Sequence, residues 1–400
     1  MEDLPNNQTH YVCVPPAHTP RRGGLLMLLS ECAVGTNFAK HAASIGFDVF
    51  CLSWRNSPGA ECACGGCLWR NGRGMVIGPK EESCEHHLEL SRLYGAEDEE
   101  ATELDKATRV EKKYSWWPHT DHRLKRAHAI EGRLLALLYY LIRDDAARWQ
   151  QYVLENGDGD GDGMGAAARP YYERLHFAGH SRGTIYGVLL GQRYSLQRIV
   201  LLDGPTNRLG NHMSKGRTSV PPWLTYNRSR TRPEDYFGLS CTYGGCHACY
   251  DAQPIWHDGL RMPGAANFTN ESVWVGGGGT MHAAHMNGQG HHHHHNLSRL
   301  LDGARQVYDS GLCQFDPPSD ASHMCLLGHL RKGDGRDYHG LTRIWTYLLT
   351  EPSSGAGERA LLEASNRSKA TTCPILHGNV SGWLYVDEER NWTFVTRAGR

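Results

Sequence analysis

Short apolar runs recur along the first half of the chain and alternate with polar or amphipathic stretches. Runs of this kind predict strands that are buried on both faces of a sheet. They occupy residues 25–29, 47–54, 175–178 and 198–205. Between the first two runs, residues 30–36 form a predicted loop, and residues 37–45 form a predicted helix that Gly46 ends. This strand–helix–strand order predicts an α/β fold with a mostly parallel sheet and right-handed crossovers.

The length of 400 residues suits one large domain with insertions, or two domains, and the remaining periodic segments complete the first of these arrangements. Apolar positions with a 3.6-residue period predict a long helix over residues 121–153. Further strands are expected at 10–15, 235–242 and 306–309, and further helices at 184–194 and 341–349. We therefore expect a single domain over residues 1–350, with loop or cap insertions at 55–118 and 206–300. Residues 351–400 form a C-terminal extension without a usable motif.

The most informative motif is Gly-His-Ser-Arg-Gly at residues 179–183, which matches the pattern G-x-S-x-G. In a nucleophile elbow of this pattern, the serine stands on a sharp strand-to-helix turn with its hydroxyl exposed. The glycines are required because such a turn leaves no room for β-carbons beside the serine. The motif predicts Ser181 as a nucleophile. The alternative is a serine in an ordinary glycine-rich turn, in a chain with 46 glycines.

Composition excludes some classes of function and indicates a compartment. A formal net charge of −1 argues against a broad nucleic-acid interface. The chain contains no run of 18 apolar residues, so a membrane span is not expected. The first residues lack the features of a signal peptide. Nevertheless, the chain has eight glycosylation sequons, where chance gives about two, and 13 cysteines. These counts favour a disulfide-bonded glycoprotein that is secreted or luminal and whose leader is not in this sequence; a cytoplasmic protein is the alternative.

Several segments have the composition of metal sites without the required spacing. Cysteines cluster in both insertions, at Cys62, Cys64, Cys67 and Cys84 and then at Cys241, Cys246 and Cys249 around His247. Neither group has zinc-site spacing, so disulfides or free thiols are the preferred interpretation. Residues 156–163 match half of a calcium loop, but Arg169 stands where the loop needs glutamate. The five histidines at 291–295 are interpreted as part of a low-complexity insertion. We therefore predict no metal and no cofactor.

The order of strand, G-x-S-x-G, helix, strand and late histidine resembles the α/β-hydrolase superfamily. More narrowly, the chain is similar to a little-characterised group of serine hydrolases from bacteria and algae. The similar segments are 25–29 with its loop, 46–53, 132–141, 179–183, 236–238, 322–323 and 344–348. The resemblance implies an α/β-hydrolase fold, with helices on both sides of a mostly parallel sheet, and catalytic residues in the order Ser, Asp, His.

The general base is expected at His323. This histidine lies after the last predicted strand and before the closing helix, which is where a histidine of such an enzyme should fall. A surface histidine is the alternative for this position. The nearest competitors for the role are His329 and His339.

The acid that orients the base has two candidates. The resemblance implies an aspartate just after the strand at 235–242, where this chain has no acidic residue until Asp251. Asp203, at the end of the preceding strand, is the alternative. Asp258, or no acid at all, completes the possibilities.

The oxyanion hole requires two backbone N–H groups that point at the developing negative charge. One is expected from Arg182, the residue after the nucleophile. The other is expected from the loop after residues 25–29, near Glu31 or Cys32. Similar proteins have a glycine-rich loop there, which this chain lacks.

These features predict a serine hydrolase that cleaves a small carboxylic ester through an acyl-enzyme on Ser181. An acyltransferase or a peptidase would use the same residues. A second hypothesis is a secreted glycoprotein that keeps the fold, has lost catalysis and acts in binding. A His- and Cys-rich metal-binding protein is a third. No pattern in the chain indicates an oligomeric state.

Overall fold

The structure is a computed structural model of the 400-residue chain. It describes residues 9–30, 32–52, 54, 79–96, 98–101, 126–155, 168–205, 220–241, 252, 254–263, 265–267, 274–275, 279–280, 306–309, 325–327, 339–350, 375–379, 382–386 and 392–396. Within these residues the fold is mixed α/β, with a mostly parallel sheet between layers of helices.

The described elements alternate between strands and helices in the first half of the chain. The helices are α1 (Cys32–Ser44), α2 (Pro79–Tyr94), α3 (Ile130–Asp144), α4 (Ala146–Trp149), α5 (Gly183–Arg193) and α6 (His339–Thr350). The strands are β1 (Thr9–Cys13), β2 (Leu25–Leu29), β3 (Asp48–Leu52), β4 (Val153–Leu154), β5 (Arg169–Pro170), β6 (Leu175–His180), β7 (Arg198–Leu202), β8 (Tyr236–Cys241), β9 (Ala265–Asn267), β10 (Trp274–Val275), β11 (Gly279–Thr280), β12 (Gln306–Asp309), β13 (Ile375–Asn379), β14 (Gly382–Val386) and β15 (Trp392–Thr396). One turn of π-helix spans Ile255–Gly259.

The main sheet has its parallel strands in the order β3-β2-β6-β7-β8-β12-β9. On the other side of β3, β1 pairs in the antiparallel sense, and β13, β14 and β15 continue from it as an antiparallel meander. Residues of the C-terminal extension therefore belong to this sheet.

Two hydrophobic cores lie on opposite faces of the sheet, because successive side chains of a strand point in opposite directions. In β2, the side chains of Leu25, Met27 and Leu29 enter one core and those of Leu26 and Leu28 enter the other. Helices α2, α3 and α5 pack on the first face, while α1 and α6 pack together on the second. All five residues of β2 are buried, as the continuous apolar run predicts.

Two predicted elements differ from the structure. Helix α1 begins at Cys32, whereas the sequence predicted a loop as far as residue 36. The long helix predicted over 121–153 is divided, because the chain leaves the helical conformation at Asp145. There the Asp145 side chain accepts a hydrogen bond from the backbone N–H of Arg148 and caps the short helix that follows. Among the described residues, no helix has the length and apolar composition that a bilayer crossing would require.

Candidate functional site

Ser181 occupies a strained turn between β6 and α5. Its backbone has φ of 55°, in the left-handed region that residues other than glycine rarely adopt. The Ser181 N–H donates to the carbonyl oxygen of Leu202 at 2.8 Å. Its own carbonyl oxygen accepts from both the backbone N–H (3.1 Å) and the hydroxyl (2.6 Å) of Thr184. The turn is thus held on both sides, so the strain at Ser181 is imposed by the surrounding structure.

Both glycines of the motif are required by close backbone contacts. A β-carbon on Gly179 would lie 2.5 Å from the carbonyl carbon and oxygen of Gly183, closer than such atoms can approach. A β-carbon on Gly183 would collide with the carbonyl oxygen of Leu29 at the end of β2. These collisions explain why the sequence needs glycine on each side of Ser181.

The turn lies where the strand order of the sheet reverses. From β2 the chain moves to β3 on one side, whereas from β6 it moves to β7 on the other. The helices that follow β2 and β6 lie on opposite faces, which is the arrangement that forms a crevice at the carboxyl ends of two strands in open α/β sheets. Open α/β sheets bind their ligands in this kind of crevice, so Ser181 stands at the position that the topology favours for chemistry.

Asp203 leaves the sheet beside Ser181. The last residues of β6 and β7, His180 and Leu202, are paired. Ser181 and Asp203 directly follow them and therefore lie side by side. Asp203 also has a left-handed backbone, with φ of 56°. Its carboxylate is buried and accepts a hydrogen bond from the Ser240 hydroxyl at 2.8 Å. The candidate nucleophile and the alternative candidate acid therefore lie at the same edge of the sheet.

The Arg182 side chain is bound by a buried carboxylate of α2. Its guanidinium Nε donates to Glu89 at 2.9 Å, and Tyr186 donates its hydroxyl to the other Glu89 oxygen at 2.6 Å. Arg92 completes the group at 3.4 Å. Burial by itself raises the pKa of Glu89, but the two arginines and the tyrosine hydroxyl outweigh it, and the pKa lies below the usual value. Glu89 is therefore an anion inside the protein.

The loop after β2, which was predicted to supply an oxyanion donor, is shorter than the predicted span of residues 30–36. Cys32 is already the first residue of α1, and its sulfur forms a disulfide with Cys51 of β3. The backbone N–H groups in the first turn of a helix point out of its amino end, so α1 directs donors toward the carboxyl end of β2. Glu31 lies outside the described residues.

Several predicted site residues fall on parts of the chain that are not described. These are His323, Asp251 and His329. His339 is the first residue of α6. Asp258 is exposed and pairs with its neighbour His257 at 2.8 Å, which is an arrangement of the protein surface.

The described residues hold no group of three His, Cys, Asp or Glu side chains that could bind a metal. Cys62, Cys64, Cys67, Cys246, Cys249 and His247 lie outside them.

Glu89 is the residue of this region that sequence reasoning missed. It belongs to the segment 55–118, which was interpreted as an insertion away from the core. The available signal was a glutamate between Leu88 and Leu90, since an acid that is buried together with its apolar neighbours must be paired. The side chains of all three residues are buried.

The chain matches no family model, no curated protein and no solved structure.

Proposed function

We propose that this protein is a serine hydrolase of the α/β-hydrolase type, with Ser181 as its nucleophile. The observation that carries the proposal is the left-handed backbone of Ser181 at a strand-to-helix turn, because this strain is the hallmark of a nucleophile elbow. Residues with strain of this kind cluster at active sites. The switch point in the strand order supports the same location.

In the proposed reaction, the Ser181 hydroxyl attacks the carbonyl carbon of a carboxylic ester while an imidazole takes its proton. His323 is the proposed base. The tetrahedral intermediate collapses as the ester oxygen accepts the proton from the imidazolium and leaves as an alcohol. Water, deprotonated by the same imidazole, then attacks the acyl-enzyme and releases the acid and the free Ser181 hydroxyl.

We assign the acid of this mechanism to Asp203. A triad acid must hold the imidazole in one tautomer and stabilise its charged form. Asp203 is buried, lies at the carboxyl edge of the strand beside Ser181 and is fixed by Ser240. The backbone N–H of Arg182 and the first turn of α1, which begins at Cys32, are the proposed oxyanion donors.

A fluorophosphonate probe tests the nucleophile. We expect the folded protein to form a covalent adduct at Ser181, located by peptide mass spectrometry, because such probes react with activated serine hydroxyls. The Ser181→Ala variant serves as the control and is expected to remain unlabelled. Absence of labelling in folded, disulfide-intact protein would refute catalysis and favour a protein that keeps the fold for binding alone.

We further propose that the protein matures in an oxidising compartment. A disulfide links Cys32 to Cys51, and such bonds persist mainly in secreted and luminal proteins. Asn227, the first residue of a sequon, is exposed in the short turn Tyr226–Arg228. An exposed asparagine in a turn is accessible to a glycan.

Glycosidase treatment tests this compartment. Enzymatic release of N-glycans in heavy-oxygen water from protein produced in its native cells should convert Asn227 to aspartate carrying the heavy isotope. The Asn227→Gln variant provides the unmodified reference. Recovery of the Asn227 peptide only in its unmodified form would contradict the proposal.

A further inference from the structure

Three buried carboxylates in this protein share one arrangement. Each accepts a hydrogen bond from an arginine and another from a tyrosine hydroxyl. The three groups are Glu89 with Arg182 and Tyr186, Asp48 with Arg148 and Tyr152, and Glu131 with Arg126 and Tyr172. In the last two groups no member is next to Ser181 in sequence. Glu89 is different because its arginine directly follows the candidate nucleophile.

The contacts of Glu89 hold the first turn of α5. Arg182 precedes this helix and Tyr186 is four residues later, so both side chains lie on the same face. One carboxylate oxygen of Glu89 accepts a hydrogen bond from Arg182 at 2.9 Å, and the other accepts one from Tyr186 at 2.6 Å. A carboxylate at the amino end of a helix also interacts favourably with the helix dipole. The start of α5 is therefore fixed to α2 by one fully buried group.

We infer that Glu89 is a positioning residue that aligns the backbone N–H of Arg182 for oxyanion stabilisation. This inference rests on the proposed serine-hydrolase function. Oxyanion donors act only when they are held at hydrogen-bonding distance from the developing charge. Releasing the Arg182 side chain allows residues 181–183 to shift, and a displacement of about 1 Å at such a site can cost about 100-fold in rate.

The same contacts indicate what Arg182 does not do. An arginine beside a nucleophile would ordinarily suggest recognition of an anionic substrate. Here its guanidinium is already paired with Glu89 and is largely buried. The Arg182 side chain therefore acts in support of the turn, while its backbone acts on the substrate.

The test compares Glu89→Gln with Asp48→Asn. Both variants remove the charge of a buried carboxylate that faces an arginine and a tyrosine. Asp48, however, is the first residue of β3 and so lies at the amino ends of the parallel strands, away from Ser181. With p-nitrophenyl acetate, we expect Glu89→Gln to lower kcat about 10- to 100-fold and to change KM less than about 3-fold. Asp48→Asn should lose as much stability as Glu89→Gln but leave kcat and KM within about 3-fold of the parent protein.

Hydrogen exchange provides a readout that does not depend on catalysis. Amides of residues 179–186 should exchange faster in Glu89→Gln than in Asp48→Asn, because the start of α5 has lost its anchor. If Glu89→Gln fails to fold, Tyr186→Phe keeps both charges, and it should lower kcat about 5-fold and speed the same exchange.

The two proposals fail in different ways. An unlabelled, inactive parent protein would refute the hydrolase, whereas faster exchange in Glu89→Gln would still support the structural half of the inference. Exchange and kcat in Glu89→Gln equal to those of the Asp48→Asn control would overturn the positioning role. A rise of kcat in Glu89→Gln would also overturn it, since the charge and not the alignment would then control the rate.

Discussion

Replacement of Asp203 by asparagine is expected to lower kcat for p-nitrophenyl acetate about 10⁴-fold with little change in KM. Loss of this magnitude follows when the residue that orients the base becomes an amide, because the imidazole is then held in the wrong tautomer. Asp203 is a fully buried carboxylate at the strand edge beside Ser181, and its hydrogen bond from Ser240 sets its orientation. Asparagine has nearly the same shape, so the fold should persist.

The same measurement on Asp251→Asn distinguishes the two candidate acids. If Asp203 orients the base, Asp251→Asn should retain kcat within about 3-fold of the parent enzyme, since it would remove only a carboxylate outside the triad. The reverse pattern, with Asp203→Asn active and Asp251→Asn inactive, would transfer the role to Asp251. The buried control variant Asp48→Asn excludes a general effect of removing an internal charge.

Local sequence signals were sufficient for the buried parallel strands of the first half of the chain and for the turn at Ser181, but not for β13, β14 and β15 of the C-terminal extension. Strand β2 could be predicted because all five of its residues are buried and apolar. The turn could be predicted because its requirements lie within the motif: Gly179 and Gly183 avoid collisions that any β-carbon would cause. The alternation of strand and helix predicted the parallel pairing of these strands, but not their order in the sheet.

Other features depend on contacts that are distant in sequence. The segment that starts α1 contains Val34, Gly35 and Thr36, which are weak helix formers, so propensity favoured a loop. Packing of α1 against the sheet and against α6 outweighs that preference. The contact between Glu89 and Arg182 joins residues 93 positions apart, and no periodic pattern reports such a pair.

The break in the long predicted helix has a different physical origin. The apolar period continues through this region, but it does not show where the backbone changes direction. The structure ends α3 at Asp144 and uses the Asp145 side chain to cap a new helix. An aspartate in a helical pattern is also an efficient N-cap, so the sequence alone was compatible with both outcomes.

Acidification from pH 7 to pH 5 is expected to destabilise the fold strongly, through His41 and His86, which are buried, and His176, which is partly buried. Burial lowers the pKa values of His41, His86 and His176 to about 3, whereas an unfolded histidine titrates near pH 6.5. Between these values the unfolded chain binds more protons than the folded one, so stability falls as the pH falls. The expected loss is about 2 kcal/mol per histidine, hence up to about 6 kcal/mol.

His41 shows why the folded state resists protonation. The Thr346 hydroxyl donates to the Thr342 carbonyl oxygen, so it can only accept from His41, whose Nε2 must carry the proton. The other ring nitrogen, Nδ1, is buried without a hydrogen-bond partner. Protonation there would place a positive charge and an unsatisfied donor in the core. The neutral tautomer is therefore the one that fits.

Urea unfolding at pH 7 and pH 5 measures this effect, and two histidine variants locate it. His41→Gln keeps an N–H donor for Thr346 and cannot be charged, so it should remove about one third of the pH-dependent loss. His257→Gln, at an exposed position, should leave the loss unchanged. Glu89 has a lowered pKa, so its contribution to stability is fully present above pH 4.5. It therefore does not add to the difference in stability between pH 7 and pH 5. Equal stability at pH 7 and pH 5 would mean that these histidines are protonated, and therefore solvated, in the native protein.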